Sequence, residues 1–427
     1  MASLRVFLAL VAAQDLELKH LDVDTAFLNG VLDEEVYMRL PEHFDEKGVP
    51  VIVRLLKSIY GLKQASRAWN KAMHAVLIVF GFVQSKADPC IYVFELGAAF
   101  LAMAVYEDDF FVAFNDEAVF EALKSHLEKH FRIKDLGDLR WALGIRVTRD
   151  RQARTLSLDQ EQYLSDMLKT FRMDQCVPVD TPEQPGLLLT KAMSPADDVA
   201  RQHMSSIPYR SAVGKLMYPM LCTRPDLAHA VRQASKFLES PGLEHWAHVK
   251  RMFRYIKGSV GRKLTYHGGE ERVLKLECYA DADWANSVDD RKSVTAVLPF
   301  LCSAPVSWLS KGQATVALSS TEAEYMAVSE AVREVSWLRQ LLSDLKCVQH
   351  EPTVIWEDNL QTILLASDPL HHARNKHIDV RHHYVRDKVT DGQVVLRHCP
   401  TGEMVADMFT KPLPRVVFTG LLKKLFV

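Results

Sequence analysis

The run AFLAMAVYEDDFFVAF (residues 99–114) sets Tyr106-Glu107-Asp108-Asp109 between two apolar stretches. Two apolar strands joined by a short acidic turn read as a β-hairpin with adjacent carboxylates at its tip. Charges set inside apolar sequence are costly unless something binds them. No Lys or Arg stands beside this pair, and a hard divalent cation is the usual partner of neighbouring Asp side chains. Cations held by carboxylate pairs serve phosphoryl transfer. The competing reading is an acidic turn that faces water.

A second carboxylate lies upstream. LELKHLDV (Leu16 to Val23) reads as a short strand ending at Asp22, and TAFLNG (Thr25 to Gly30) as a turn of helix stopped by Asn29-Gly30. Taken alone, Asp22 is a helix-capping residue. If the two strands are neighbours, Asp22 and Asp108 can clamp two ions roughly 3.5–4 Å apart, the two-metal geometry of polymerases.

The C-terminal third carries its own acids. In LKLECYAD, Leu274, Leu276, Cys278 and Ala280 share one strand face, and Lys275, Glu277, Tyr279 and Asp281 the other. Asp281 is therefore presented away from the apolar face, at the strand end. SSTEAEYMAVSEAVREVSWLRQLL is a long helix with Ala323, Ala327, Ala331, Val335, Leu338 and Leu342 on one stripe. Glu322 lies in its first turn, where it also fits a capping box with Ser319. TVIWED is a strand ending at Asp358, which could equally cap the helix NLQTILLA. Asp407 lies in the helical stretch GEMVADMFT. Each acid alone reads more simply as a cap or a solvated carboxylate. Four of them at strand ends and helix starts of one α/β unit favour a metal site.

These segments resemble a known family. LDVDTAFLNGVLDEEVYMRLPEHF, RLLKSIYGLKQASRAW, GFVQSKADPCIYV, VYEDD and FRIKDLGDLRWALGI follow in order through the first 150 residues. They look like the reverse transcriptase of copia-type LTR retrotransposons. By that resemblance Asp22, Asp108 and Asp109 are the metal-binding catalytic triad, and Phe27 excludes a ribose 2′-OH from the incoming nucleotide. Gly61, Leu62, Lys63, Gln64 and Tyr106 would line the nucleotide and template pocket. YADADWA, DDRKS, SWLSKGQ, VALSSTEAEYMAVSEA, EDN, HIDVRHHYVRD and VADMFTKPLP then resemble copia-type ribonuclease H. That resemblance makes Asp281, Glu322, Asp358 and Asp407 the ligands of two Mg²⁺ (or Mn²⁺) ions. Each of the two active sites would hold two ions.

Composition sets bounds on this reading. A chain of 427 residues, 48% hydrophobic, has room for two or three domains with sizeable cores. The longest apolar runs, VLIVFGF and AAFLAMAV, fall far short of the roughly 20 residues a membrane helix needs. MASLRVFLALVAAQ lacks a strong basic start and leads straight into the Asp22 strand, so it reads as a core helix rather than a signal segment. Seven scattered Cys without C-x-x-C spacing suit reduced thiols of the cytosol or nucleus. The cluster His371, His372, His377, His382 and His383 raises zinc, but it lacks Cys partners and matches no zinc spacing. Net charge is −2, so any grip on nucleic acid must be local. Lys250 to Lys263 and His371 to Lys388 interleave basic and aromatic residues and could hold phosphates and stack on bases, or form solvated helix faces.

Departures from the family also count. The polymerase match begins late, so the basic fingers that grip the triphosphate are expected to be largely missing. Glu107 stands where the family has an apolar residue, and Ser66 where it has Pro. SVTAVLPF replaces a Gly-bearing strand. The resemblance thus implies an α+β reverse-transcriptase palm and thumb followed by an α/β RNase H-like domain with a mixed sheet. The expected division is 1–176 palm, 177–208 linker, 209–268 helical thumb or connection, and 269–427 RNase H-like domain. The expected function is RNA-directed DNA polymerisation with hydrolysis of the RNA strand of hybrids, the polymerase half being impaired. Partners would be RNA template, DNA primer, RNA/DNA hybrid and dNTPs, without a membrane. The expected location is the cytoplasm, in virus-like particles, and the nucleus. The alternatives are a non-catalytic nucleic-acid-binding transposon remnant and a relic that never folds.

Overall fold

The computed structural model describes residues 1–41, 44, 51–269, 274–367 and 379–426. The chain divides into two compact units, one of Leu16–Leu139, the other of Met1–Asp15 with Arg140–Val427. Among the described residues no helix is long and apolar enough to cross a membrane.

The chain opens with helix α1 (Ala2–Gln14), buried from Ser3 to Ala12. Its charged residue, Arg5, is buried too. The guanidinium donates to the carbonyls of Val306 (2.8 Å), Leu221 (2.8 Å) and Cys222 (3.1 Å) and lies 3.9 Å above the Trp308 ring. Donors satisfied by carbonyls let a charge stay inside.

The Leu16–Leu139 unit comprises β1 (Glu17–Val23), β2 (Val31–Arg39), β3 (Ile52–Lys57), α2 (Ala65–Phe80), β4 (Val83–Gln84), β5 (Ile91–Leu96), β6 (Ala99–Tyr106), β7 (Asp109–Phe114), α3 (Glu117–Glu128) and β8 (Ile133–Asp138). Six strands form one sheet in the order β4-β5-β6-β7-β1-β8, while β2 and β3 form a separate ribbon. The hairpin predicted from residues 99–114 is β6–β7, and β1 is its antiparallel neighbour. One sheet face is covered by apolar side chains of α2 and α3, with Trp69, Met73, Leu77, Phe120 and Leu123 in a core with Leu21, Val112 and Phe114. Gly30 has no room for a Cβ, which would meet Ala68 and the Ser58 hydroxyl at 2.8 Å. Only glycine lets the turn after Ala26–Asn29 approach α2 so closely.

The other unit continues with β9 (Trp141–Ala142), β10 (Ile145–Asp150), β11 (Thr155–Asp159), α4 (Glu161–Thr170), α5 (Asp198–Ser205), α6 (Tyr209–Cys222), α7 (Ala228–Ser235), α8 (Leu243–Lys257) and β12 (Leu264–His267). Then follow β13 (Glu277–Asp283), β14 (Val294–Leu301), β15 (Ala304–Pro305), β16 (Leu309–Gly312), α9 (Ser320–Asp344), β17 (Thr353–Glu357), α10 (Leu360–Ser367), α11 (Asp379–Thr390), β18 (Val394–His398) and α12 (Arg415–Leu425). Its larger sheet is mixed, as expected. The order is β15-β14-β13-β17-β18, with β16 also on β14. β13, β17 and β18 run parallel, and β14 is antiparallel to β13. Helices α4, α6, α7 and α8 share one core with this sheet and α12. The protein is thus mixed α/β with several sheets.

Three of the six basic side chains of Lys250–Lys263 are engaged inside this unit. Phe253 and Tyr255 are buried. Arg251 donates to the Thr181 hydroxyl (2.8 Å), Arg254 to the Val177 carbonyl (2.8 Å) and Arg262 to Asp226 (3.2 Å). The last joins a buried network in which Arg224 holds Asp226 at 2.7 Å and the Tyr255 hydroxyl donates to the same carboxylate at 2.6 Å. Partners distant in sequence thus claim Arg251, Arg254 and Arg262, while Lys250 and Lys257 are exposed. His371, His372 and His377 lie outside the described residues, as does the side chain of His382; His383 is exposed on α11.

Candidate active sites

Two acidic corners emerge, one in each unit. In the first, β1 and β7 pair so that Asp22 stands opposite Asp109, and the Val23 N–H donates to the Asp108 carbonyl at 2.9 Å. Asp108 and Asp109 are half-buried, whereas Glu107 is exposed with a left-handed φ of 54°. The turn is held from below. The Trp69 indole donates to the Glu107 carbonyl at 2.7 Å, its ring stacked on Phe110 and edge-on to Phe131. Burial and then the Asp108 charge raise the Asp22 carboxyl above its usual range, against the pull of Lys134. Cations and donors crowd this corner. His20 Nε2 lies 2.6 Å from Asp109 Oδ1, and Arg132 and Lys134 both pair with Asp24.

The residues expected to line a nucleotide pocket lie in the same unit. Phe27 meets the Tyr60 ring edge-on at 5.1 Å. Gly61, with φ 92°, turns the chain into Leu62, Lys63 and Gln64, and Gln64 caps α2. Gly61 and Lys63 are exposed, Leu62 and Gln64 half-buried, and Tyr106 is half-exposed at the hairpin end.

In the second corner Asp281, Glu324 and Asp358 each offer a carboxylate oxygen, all within 4.8 Å of one another. They come from β13, the second turn of α9 and the residue after β17. Strand β13 runs on to Asp283, so Asp281 is an interior strand residue and buried, not the strand end expected from the sequence. Burial, followed by the Asp407 charge, pushes the Asp281 carboxyl up to about 7, although Lys411 and the Thr410 hydroxyl pull it down. Thr410 donates to Asp281 at 2.6 Å, and Thr401 to Asp358 at 3.1 Å. Asp407 stands at the flank, paired with Lys411 at 2.7 Å. Burial, and then Glu357, raise Glu324 well above its ordinary range.

Glu322 is not in this group. Its backbone N–H donates to the Ser319 hydroxyl (3.1 Å), and its carboxylate accepts from the Leu318 N–H (2.8 Å). The capping alternative is what the structure adopts, and the carboxylate that joins Asp281 and Asp358 is that of Glu324, two residues along the helix. The reverse holds for Asp358. Asn359 caps α10, accepting from the Gln361 and Thr362 N–H groups at 3.0 and 3.1 Å, which leaves Asp358 to the cluster. Sequence reasoning also passed over Thr410, Thr401, Lys411, Glu357 and Trp69.

The carboxylate set fits a hard divalent cation. Glu324 Oε2 and Glu357 Oε2 are buried without a hydrogen-bond partner, and like charges this close raise one another's pKa unless a cation intervenes.

The family model for reverse transcriptase (RNA-dependent DNA polymerase) matches residues 1–185. The retrovirus-related Pol polyprotein from transposon TNT 1-94 of Nicotiana tabacum is 42% identical over 420 residues, which is 98% of this chain and 31% of that polyprotein. The corresponding polyprotein from transposon RE2 of Arabidopsis thaliana is 37% identical over 431 residues, covering 100% of this chain and 28% of its own length. The chain thus spans about a third of either relative. The transposon Ty5-1 protein of Saccharomyces cerevisiae is 31% identical over 323 residues, 74% of this chain and 100% of that protein.

Proposed function

The chain belongs to the copia-type retrotransposon Pol family, and from that premise we propose that its C-terminal corner hydrolyses the RNA strand of RNA/DNA hybrids. The observation that carries this reading is the approach of Asp281, Glu324 and Asp358 to within 4.8 Å. Asp281, Glu324, Asp358 and Asp407 are the residues that would hold Mg²⁺ or Mn²⁺, two ions in all. Such ions lower the pKa of a water and offset charge on a leaving 3′-oxygen. The chain's own groups do the rest. The Thr410 and Thr401 hydroxyls fix the orientation of Asp281 and Asp358. Lys411 pairs with Asp407 at 2.7 Å and opposes the burial that raises its carboxyl.

The N-terminal corner is assigned to RNA-directed DNA polymerisation. Asp22, Asp108 and Asp109 would hold the ions there, and Phe27 would stand beside the sugar of the incoming nucleotide. The register of Asp22 on Asp109 supports this reading. Activity at this corner is expected to be weak, because the exposed Glu107 carboxylate adds a like charge beside the phosphates.

Hybrid cleavage by the purified chain in Mg²⁺ tests the first assignment. Asp358→Asn keeps the shape and removes the charge; it should reduce cleavage at least about 100-fold. A chain that binds hybrid tightly but never cuts it would favour a binding remnant instead.

A further inference from the structure

Strand β1 lies between β7 and β8, and its register sets three charged residues in one row. Asp22 pairs with Asp109 on one side and with Lys134 on the other. Residues paired across strands share a sheet face. The next residue, Val23, pairs with Ile133 on the face that packs into the core. The backbone thus delivers Lys134 to the opposite face, the one that carries Asp22 and Asp109. β8 is an edge strand, and the Lys134 side chain is 57% exposed. Asp24 gathers a second cation beside it. Its Oδ1 pairs with Lys134 and its Oδ2 lies 3.0 Å from Arg132 Nε, while its N–H donates to the Arg132 carbonyl at 2.9 Å. Two cations on the two oxygens of one carboxylate leave a surplus of positive charge.

An ammonium carries three donors and a guanidinium five. Asp24 engages the ammonium through one oxygen and the guanidinium through Nε, which leaves donors on both for an anion. Cations of this kind bind phosphate through charge-assisted hydrogen bonds. We propose that Lys134, together with Arg132, binds the polyphosphate tail of the incoming nucleotide at the edge of the N-terminal corner. The proposal rests on the polymerase reading of that corner. Asp24 then holds two cations in place beside Asp22 rather than serving as a surface brace alone. Backbone phosphates of the template and primer offer the same chemistry, and separate affinities distinguish the two sources.

The test is calorimetric titration of the next complementary dNTP, in Mg²⁺, into the full chain bound to a DNA template–primer that ends in a dideoxynucleotide, so that no bond forms. Affinity for the template–primer alone is measured alongside. Lys134→Met or Arg132→Met should weaken dNTP affinity at least about fivefold, and the double variant at least about tenfold, with a smaller loss at high salt. Template–primer affinity should stay within twofold, and Lys134→Arg, which keeps the charge, should bind dNTP within threefold of the parent. Asp24→Asn keeps both cations and should bind dNTP as well as the parent or better. A double variant whose dNTP affinity stays within twofold overturns the proposal. So does an equal loss of template–primer affinity, which would assign the cations to backbone phosphates, and so does an Asp24→Asn loss as large as that of Lys134→Met, which would leave the ion pair a brace. If Lys134→Met does not fold, Lys134→Gln is read by the same criterion. Asp108→Asn separates the two readings. If it abolishes dNTP binding while the Lys134 and Arg132 variants do not weaken it, the cations fail and the polymerase corner stands. If the parent on its template–primer takes up no dNTP, both fall.

Discussion

The two acidic corners solve the same electrostatic problem in different ways. At the hairpin the acids are half-buried, and cations and donors already stand by: His20 on Asp109, and Lys134 and Arg132 on Asp24 next to Asp22. In the C-terminal unit Asp281, Glu324 and Asp407 are buried and Asp358 half-buried, and, apart from Lys411 on Asp407, they meet mainly hydroxyls and one another. The first corner can fold without a bound cation at little cost. The second carries orphaned carboxylate oxygens and gains most from one. Dependence on cations should therefore be strong for the C-terminal unit and weak for the hairpin unit.

The sharpest test of that contrast lies within α9. Glu324→Gln should reduce hybrid cleavage at least about 100-fold, because it removes a charge from the cluster. Glu322→Gln should leave cleavage within about threefold and cost about 1 kcal/mol or less, since Gln still accepts from the Leu318 N–H. Equal losses in both variants, measured as initial rates in Mg²⁺, would make the assignment of Glu324 untenable.

This pair also shows how far sequence carries. The hairpin and the long helix with its apolar stripe were legible, because period and punctuation are local properties; the mixed sheet followed only from the family resemblance. The expectation placed the ligand at Glu322 and did not weigh Glu324, although a signal existed. Ser319-x-x-Glu322 is a capping box, and a residue committed to the cap is withdrawn from the site. Asp358 and Asn359 posed the mirror problem, and only the hydrogen bonds to Asn359 resolve it. In Lys250–Lys263 the partners of Arg251, Arg254 and Arg262 are Thr181, Val177 and Asp226, far away in sequence, so composition could not reveal that these three charges are engaged.

Acidity gives the next largest effect. The Asp281 carboxyl is pushed by burial and Asp407 up to about 7 from 3.8. Its folded-state value lies above the unfolded one, so ionisation favours unfolding. Stability is therefore highest below about pH 4 as far as this group is concerned, and is lost as pH rises toward 7. In EDTA the unfolding midpoint of the C-terminal unit should fall by several degrees between pH 5 and pH 8. Saturating Mg²⁺ should flatten that slope. A pH slope unaffected by Mg²⁺ would erase the difference drawn between the corners.

A smaller effect is expected at Trp69. Trp69→Phe keeps the ring against Phe110 and Phe131 but removes the indole donor to the Glu107 carbonyl. The loss should be about 1 kcal/mol, the worth of one hydrogen bond. It should appear in the unfolding of the Leu16–Leu139 unit and be indifferent to Mg²⁺. A Mg²⁺-dependent loss would mean that the turn is braced by cations after all.

The smallest effect concerns Glu107, and the backbone dictates how to measure it. Its φ of 54° lies in the left-handed region, where a β-branched side chain is strained and Asn is tolerated. Glu107→Val, the change the family pattern suggests, would remove the charge and add strain of roughly 1–2 kcal/mol at once. A loss of activity in that variant would therefore say nothing about charge. Glu107→Asn separates the two, because it removes the carboxylate while keeping the conformation. Primer extension should rise a few-fold, in line with about 1 kcal/mol or less of relieved repulsion at an exposed position. The rise should shrink as salt increases, since the interaction is screened by solvent and ions. Extension unchanged at low salt would show that phosphates do not approach the turn tip, and any weakness of this corner would need a cause other than Glu107.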